Sequence, residues 1–230
     1  DEEFIDWYHE NYKGTENYQP DIEIEYIPMQ DNETMYNKIR MGDRYDLLCP
    51  SEYMAMKLKA ENLIVPYSTS FFDSTVQGNY YAQNASAYTK SIFAEAGLNE
   101  YIAGYMWGTT GLLYNPKYVS DEEAESWTII WNDRLEGKIL MKDAYRDIYG
   151  PMLMYARYTD ILSGKVTREQ LMNDSSDEAI ASVERLLKAA KKNIAGWEVD
   201  FGKEMMTKEK AYINVSWSGD AVWAIEEAAA

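Results

Sequence analysis

Cysteine and histidine are almost missing from this 230-residue chain, which has one of each, Cys49 and His9. An internal disulfide is therefore excluded, and so are zinc sites of the usual Cys/His spacing. A Ser-His-Asp triad or a Cys-His pair would have to recruit His9, which reads as a surface residue of an amphipathic first helix. Cys49 lies in a short apolar segment and is expected to be buried as a small hydrophobe. No apolar run approaches the roughly 20 residues a membrane-spanning helix needs. Neither a phosphate loop nor a Gly-x-Gly-x-x-Gly pattern occurs. Asn173 to Glu178 superficially resembles a calcium loop, but it lacks the turning glycine and the correctly spaced terminal Glu, so helix capping explains it better. No metal site and no cofactor is expected. Basic residues are also scarce, with 22 Lys and Arg against 39 Asp and Glu, a net charge of −17. Such a surface repels phosphate, which argues against nucleic-acid binding, and draws in cations, although taken alone the charge is explained as well by a solubilising surface.

What is present is a globular composition, 46% hydrophobic and 27% charged, with 20 Tyr and 7 Trp. Residues 3–12 read as an amphipathic helix closed by Gly14. Asp1 then falls inside that helix, which suggests an excised fragment. Ile22, Ile24 and Tyr26 alternate with Glu23 and Glu25 as in a half-buried strand. Asp31 caps a helix through Met41, stopped by Gly42. Residues 45–49 form a short buried strand, and Ser51 is a candidate N-cap for a helix to about Ala60. Residues 66–104 are polar and read as loop.

The stretch 105–116 is extended and crosses from one half of the chain to the other, with Gly104, Gly108 and Gly111 against helix and Trp107, Thr109 and Thr110 suited to a strand. Beyond it, Ser120 and Glu123 form a capping box, and Trp127 and Trp131 share a helical face toward the core. Ile139 to Met141 is a strand, followed by a helix to about Tyr158. Ser175 and Glu178 form a second capping box for a helix with Ile180, Val183, Leu187 and Ala190 inward. A short helix near Lys203, a strand Ala211–Val215 and a helix through Ala229 complete the pattern.

Three strand ends offer carboxylates or aromatics. Tyr53 and Ser51 follow the strand at Cys49, Asp143 and Asp147 follow Met141, and Trp217 and Asp220 follow Val215. In open α/β sheets ligands sit beyond such ends. A primary ammonium wants acceptors in charge-assisted contact, and its alkyl stem wants flat apolar walls. Each element also has a plain structural explanation: Ser51 and Asp220 as helix caps, Tyr53 and Trp217 as packing, Asp147 as a partner of Arg146 or a lysine.

These residues make the chain resemble the periplasmic polyamine-binding proteins, the spermidine/putrescine receptors of ABC importers. The matching stretches are Asn32 to Tyr36, Tyr45 to Tyr53, Tyr105 to Gly111, Ser126 through Trp131, Gly137 to Met141, Arg146-Asp147 and Trp217 to Ala221, in family order. The resemblance implies an α/β two-lobe (type II) fold with mixed sheets flanked by helices, closing on a cationic amine held between the lobes. Residues 1–106 would form the first lobe, 107–216 the second with crossover strands at both ends, and 217–230 the second crossover. Ser51 and Tyr53 would line the pocket from the first lobe, Asp147 and Asp220 would contact amines, and Trp217 would wall the methylene chain. Ala144 stands where some spermidine receptors carry an acidic residue.

The family's first strand would precede Asp1 and further pocket positions would follow Ala230. The first lobe is thus expected to be incomplete and the chain to bind polyamines weakly or not at all. The implied partners are the ligand and the permease subunits of the transporter, the implied location is periplasmic or extracytoplasmic, and membrane tethering stays open. No enzymatic activity is expected. The alternatives are another small cationic or amino-acid-like ligand and, from a different class, a hydrolase using Asp147 and Asp220.

Overall fold

A computed structural model describes residues 2–16, 18–76 and 79–229, and the chain divides into two compact units, Asp1–Gly104 and Tyr105–Ala230.

The first unit contains helices α1 (Glu2–Tyr12), α2 (Asn32–Met41), α3 (Glu52–Ala60), α4 (Tyr80–Asn84) and α5 (Ala87–Glu95). Helix α2 begins and ends as its sequence dictates. The Asp31 carboxylate accepts the Thr34 N–H at 2.6 Å, and Gly42 turns left-handed at φ 112° to close on the Ile39 carbonyl. Met35, Met54 and Leu58 are buried where α2 and α3 meet. The Tyr36 hydroxyl and the Arg40 guanidinium both reach Glu61, just past the end of α3.

Four expectations fail in this unit. Residues 21–27 and 45–49 form no strand and belong to no ladder, with a turn at Asp21 and a bend at Asp46. Ile22 and Ile24 are half-buried between exposed Glu23 and Glu25, but Tyr26 is 75% exposed, so the alternation stops after two residues, and a strand needs a neighbouring strand to satisfy its backbone. Cys49, without a sheet to cover it, is exposed. The supposed loop 66–104 instead holds a 3-10 turn at Thr69–Phe72 together with α4 and α5. Tyr67, Phe71, Phe72 and Tyr81 form an aromatic knot there, with ring centroids 4.6 Å apart for Tyr67 and Phe71. Gly104 passes so close that an added Cβ would lie 3.0 Å from Thr89 Cγ2.

The second unit is a four-stranded mixed sheet in the order β1-β4-β2-β3. Its strands are β1 (Thr110–Tyr114), β2 (Ile139–Lys142), β3 (Ile194–Glu198) and β4 (Ile213–Trp217). β1 runs antiparallel to β4, with Thr110 opposite Trp217, whereas β4, β2 and β3 are parallel. The helices are α6 (Asp121–Ala124), α7 (Tyr145–Ala156), α8 (Tyr158–Leu162), α9 (Arg168–Met172), α10 (Asp177–Ala190), α11 (Gly202–Thr207) and α12 (Ser218–Ala229). Alternate residues of central strand β2 serve opposite faces. Ile139 and Met141 join the main core with Ile148, Met152 and Leu153 of α7 and Val183 of α10. Leu140 packs on the other side with Met206 of α11 and Ala211. The result is the mixed, helix-flanked α/β sheet that the family resemblance implies.

Several details shift. β1 covers only 110–114 of the extended stretch, because pairing with β4 ends at Trp217. β4 itself starts at Ile213, two residues later than the alternation suggested, and α7 stops at Ala156. The Ser120–Glu123 capping box is present, but α10 is capped by Ser176 accepting the Ala179 N–H, not by Ser175. Ala179 and Val183 then take the inward stripe and leave Ile180 45% exposed. Trp127 and Trp131 lie in a 3-10 turn whose fully buried members are Ile129 and Ile130. Trp131 is half-buried, stacks on Tyr155 and donates its indole N–H to the Leu186 carbonyl at 2.9 Å. Strand β3 has no counterpart in the sequence reading, because Gly196 and the lysine-rich approach to it carry little strand signal.

Candidate functional site

Strands β2, β3 and β4 run parallel, so their carboxyl ends lie on one edge of the sheet, each followed by a polar side chain or a helix start. β2 ends in Lys142, β3 in Glu198 and β4 in Trp217. The first turn of α7 contributes Asp147, and that of α12 contributes Asp220. Both carboxylates suit the positive end of a helix dipole. Pro151 inside α7 has no N–H to give to the carbonyl of Asp147 four residues earlier.

Of the five residues singled out from the sequence, three gather here. The Trp217 indole N–H donates to Asp147 Oδ2 at 2.8 Å, which fixes the plane of the ring against the carboxylate. Asp220 is occupied differently. Its Oδ1 accepts Lys203 Nζ at 3.0 Å, and its Oδ2 lies 3.7 Å from Lys142 Nζ. Lys203 also binds Asp200 at 2.6 Å. Asp200 foremost, then Asp220, raise the Lys203 ammonium above its ordinary range, and Lys203 in turn lowers Asp200.

Lys142 is the residue that sequence reasoning missed. It is only 1% exposed, and its ammonium meets Glu198 Oε1 at 2.9 Å, the Val199 carbonyl at 2.7 Å and the Trp217 ring at 4.2 Å from the centroid. Glu198, equally buried, accepts the Gly202 N–H on Oε2 at 2.8 Å. The contact through Oε1 is an ion pair, not an aligned hydrogen bond. A Cβ on Gly202 would stand 2.3 Å from Asn214 Nδ2 and 2.5 Å from Glu198 Cδ, so only glycine fits beside the pair. The available sequence signal was a lysine closing one apolar strand run and a glutamate closing another. The apolar run of the first stops at Met141, one residue short of the lysine, and the second contains Gly196 and carries little strand signal.

Ser51 and Tyr53 lie in the first unit. Ser51 occupies the N-cap position of α3 without capping it through its side chain, and it exchanges hydrogen bonds with Asn32 instead. The Tyr53 hydroxyl donates to Glu33 at 3.0 Å. Asp143 is exposed. A separate apolar groove of about 740 Å³, lined by Tyr145, Tyr149, Ile180, Val183, Leu187 and Trp197 among others, includes neither Asp147, Trp217 nor Asp220. Among the described residues no cluster of metal-ligating side chains occurs, and no helix is long and apolar enough to cross a membrane.

Residues 59–226 match the family model described as bacterial extracellular solute-binding protein. Over 202 residues the chain is 24% identical to the spermidine/putrescine-binding periplasmic protein of Escherichia coli (strain K12), covering 87% of this chain and 52% of that protein. The protein of the same description from Salmonella typhimurium is 23% identical over the same shares. Among solved structures, the spermidine/putrescine ABC transporter substrate-binding protein of Streptococcus pneumoniae superposes with a TM-score of 0.66 at 26% identity, covering 99% of this chain and 62% of that one. A putative spermidine/putrescine ABC transporter from Listeria monocytogenes gives 0.71 at 23% identity, with the same coverage. The shared fold is that of the periplasmic binding proteins, as expected from the sequence. The chain spans about half the length of the curated relatives it matches.

Proposed function

Because this chain belongs to the bacterial extracellular solute-binding protein family, a family of transport receptors and not of enzymes, we propose that it belongs to a receptor that captures a polyamine outside the cytoplasm and hands it to an ABC-transporter permease. The observation that carries the reading is Asp147 held by the indole N–H of Trp217 at the sheet's carboxyl edge. That pairing offers an ammonium group a carboxylate and its methylene chain an adjacent aromatic wall, the two features a polyamine requires. The names of the relatives point to the same ligand class. Ser51 and Tyr53 are the first unit's proposed share of the ligand contacts, whereas the amine contact expected of Asp220 is not proposed, because its two oxygens face Lys203 and Lys142.

Calorimetric titration of putrescine and spermidine against the full-length product of the gene tests this. At least one amine is expected to bind, without turnover. Asp147→Asn keeps an acceptor for Trp217 but removes the charge. A charge-assisted hydrogen bond contributes roughly 1.5–3 kcal/mol, so the variant is expected to bind about ten- to a hundredfold more weakly. Failure of both amines to bind would send the ligand assignment to other small cationic or amino-acid-like molecules. An Asp147→Asn protein with unchanged affinity would remove Asp147 from the site.

A further inference from the structure

The polyamine reading leaves unexplained why a fully buried lysine ends the central strand of an amine-binding lobe. We infer that Lys142 is a specificity-determining residue: its ammonium already takes the Trp217 face and the Asp220 oxygen that an internal ammonium of a longer polyamine would use, so the second unit admits one ligand ammonium, at Asp147. The inference rests on the polyamine reading and adds a preference within it, for a diamine over a triamine.

The geometry is that of a tethered competitor. Lys142 Nζ stands 4.2 Å from the Trp217 centroid and 3.7 Å from Asp220 Oδ2, and Glu198 anchors it at 2.9 Å. Lys203 takes the other oxygen of Asp220 at 3.0 Å. Both carboxylate oxygens of Asp220 therefore face the chain's own cations. Trp217 is bound on its edge by Asp147 and over its face by Lys142. A second ammonium brought to the same ring and carboxylate would find the ring face and both Asp220 oxygens already taken by Lys142 and Lys203, whose own charges Glu198, Asp200 and Asp220 balance, and would have to displace one of them. A methylene segment meets no such penalty. The 37% of Trp217 that stays exposed is thus suited to the alkyl stem of a ligand whose one ammonium sits at Asp147.

A role for Lys142 in stability alone would predict changed melting and unchanged ligand preference, which gives the test its readout. Putrescine and spermidine are titrated against the full-length product of the gene as wild type, as K142M/E198Q and as K203M. The double variant removes both charges of the buried pair, so no unpartnered buried charge remains. Wild type is expected to favour putrescine. K142M/E198Q is expected to move the spermidine-to-putrescine affinity ratio about tenfold toward spermidine, a difference of about 1.4 kcal/mol. K203M, at a less buried position, should move it the same way by a smaller factor because the ring face stays covered. A folded double variant that binds both amines in the wild-type ratio overturns the inference, as does an unchanged ratio in K203M should the double variant not fold. Wild type binding neither amine overturns the polyamine reading itself, a result distinguishable from an unchanged ratio.

Discussion

The two units reach order by different routes, although each contains helices with capped ends and segments with strand-like alternation. In the second unit four strands pair into one sheet and the helices cover both faces, burying Ile139, Met141, Ile213 and Val215 completely. In the first unit the alternating segment at 21–27 and the apolar segment at 45–49 run without partners, and the small core is Met35, Met54 and Leu58. A helix satisfies its backbone within itself and needs only a cap, as Asp31 and Gly42 supply for α2. A strand is satisfied only by another strand, which can lie anywhere in the chain. The same local signal therefore yields a ladder in one unit and an unpaired irregular segment in the other.

Hydrogen exchange should expose that contrast most strongly. Amides of the central strands, such as Leu140, Asn214 and Val215, are expected to exchange only with cooperative opening of the sheet, roughly a thousandfold or more slower than those of residues 22–26. Equal protection in the two sets would mean that the first unit's segments are paired in solution and would dissolve the comparison. Charge burial gives the next largest effect. Lys142→Met alone leaves Glu198 buried without its cation and should cost the second unit about 3–5 kcal/mol in denaturant unfolding, most of it recovered in the double variant with Glu198→Gln. The corresponding first-unit pair, Arg40 and Glu61 at 3.1 Å, has side chains 57% and 30% exposed. Arg40→Ala should cost under about 1 kcal/mol. A large loss there and a small one at Lys142 would reverse the argument about where charge matters.

The legible parts of the sequence follow the same physics. Helices with local start and stop signals were read to within a residue or two, α2 and α3 among them, and the Ser120–Glu123 box was found outright. Trp217 beside Asp147 was accessible as two candidates at strand ends, though not as a hydrogen-bonded pair 70 residues apart in sequence. The Lys142–Glu198 pair was not accessible, because it depends on β2 and β3 being parallel neighbours with their ends in register. A register is a non-local fact, and β3 itself has too little apolar alternation to announce a strand. Cys49 failed for the converse reason: its segment had the composition of a buried strand, and burial depended on a sheet that the local sequence does not supply.

Smaller perturbations sharpen the contrast. Leu153 and Leu58 are both fully buried, the first in the large core and the second in the small one. Replacing either by Ala should cost about 2–5 kcal/mol. The loss at Leu153 should sit toward the upper end, since packing from α7, α10 and the sheet resists collapse into the cavity. Acid should also act unequally. In the second unit Glu123 is held low by the Ser120 N–H and Arg134, Asp160 by Arg157, Asp200 by Lys203, and Glu209 by Tyr118 and Lys117. In the first unit Asp73 is lowered by Thr75. A carboxylate with a lowered native value stabilises the fold above its ordinary value near about 4 and loses that contribution as pH falls through the lowered one. Thermal unfolding followed from pH 6 to about pH 3 should therefore show the second unit losing more stability than the first. A steeper loss in the first unit would mean that its carboxylates are held more tightly than the contacts indicate.

The smallest contrast is between two serines at equivalent places. Ser120 precedes α6 and its hydroxyl accepts the Glu123 N–H at 3.3 Å, while Glu123 returns the bond to the Ser120 N–H at 3.0 Å. Ser51 precedes α3 with the same extended backbone, but its hydroxyl accepts the Asn32 side-chain amide at 3.1 Å and leaves the helix N–H groups to other partners. Ser120→Ala should therefore remove a cap and cost about 1 kcal/mol. Ser51→Ala should change stability by less than about 0.5 kcal/mol, as for an exposed substitution that breaks no cap. If Ser51→Ala weakens amine binding in the full-length protein while stability stays put, the hydroxyl serves the ligand alongside Asn32 and not the helix. Equal stability losses at the two serines would instead make Ser51 a structural cap, and the first unit's proposed contribution to the site would then rest on Tyr53 alone.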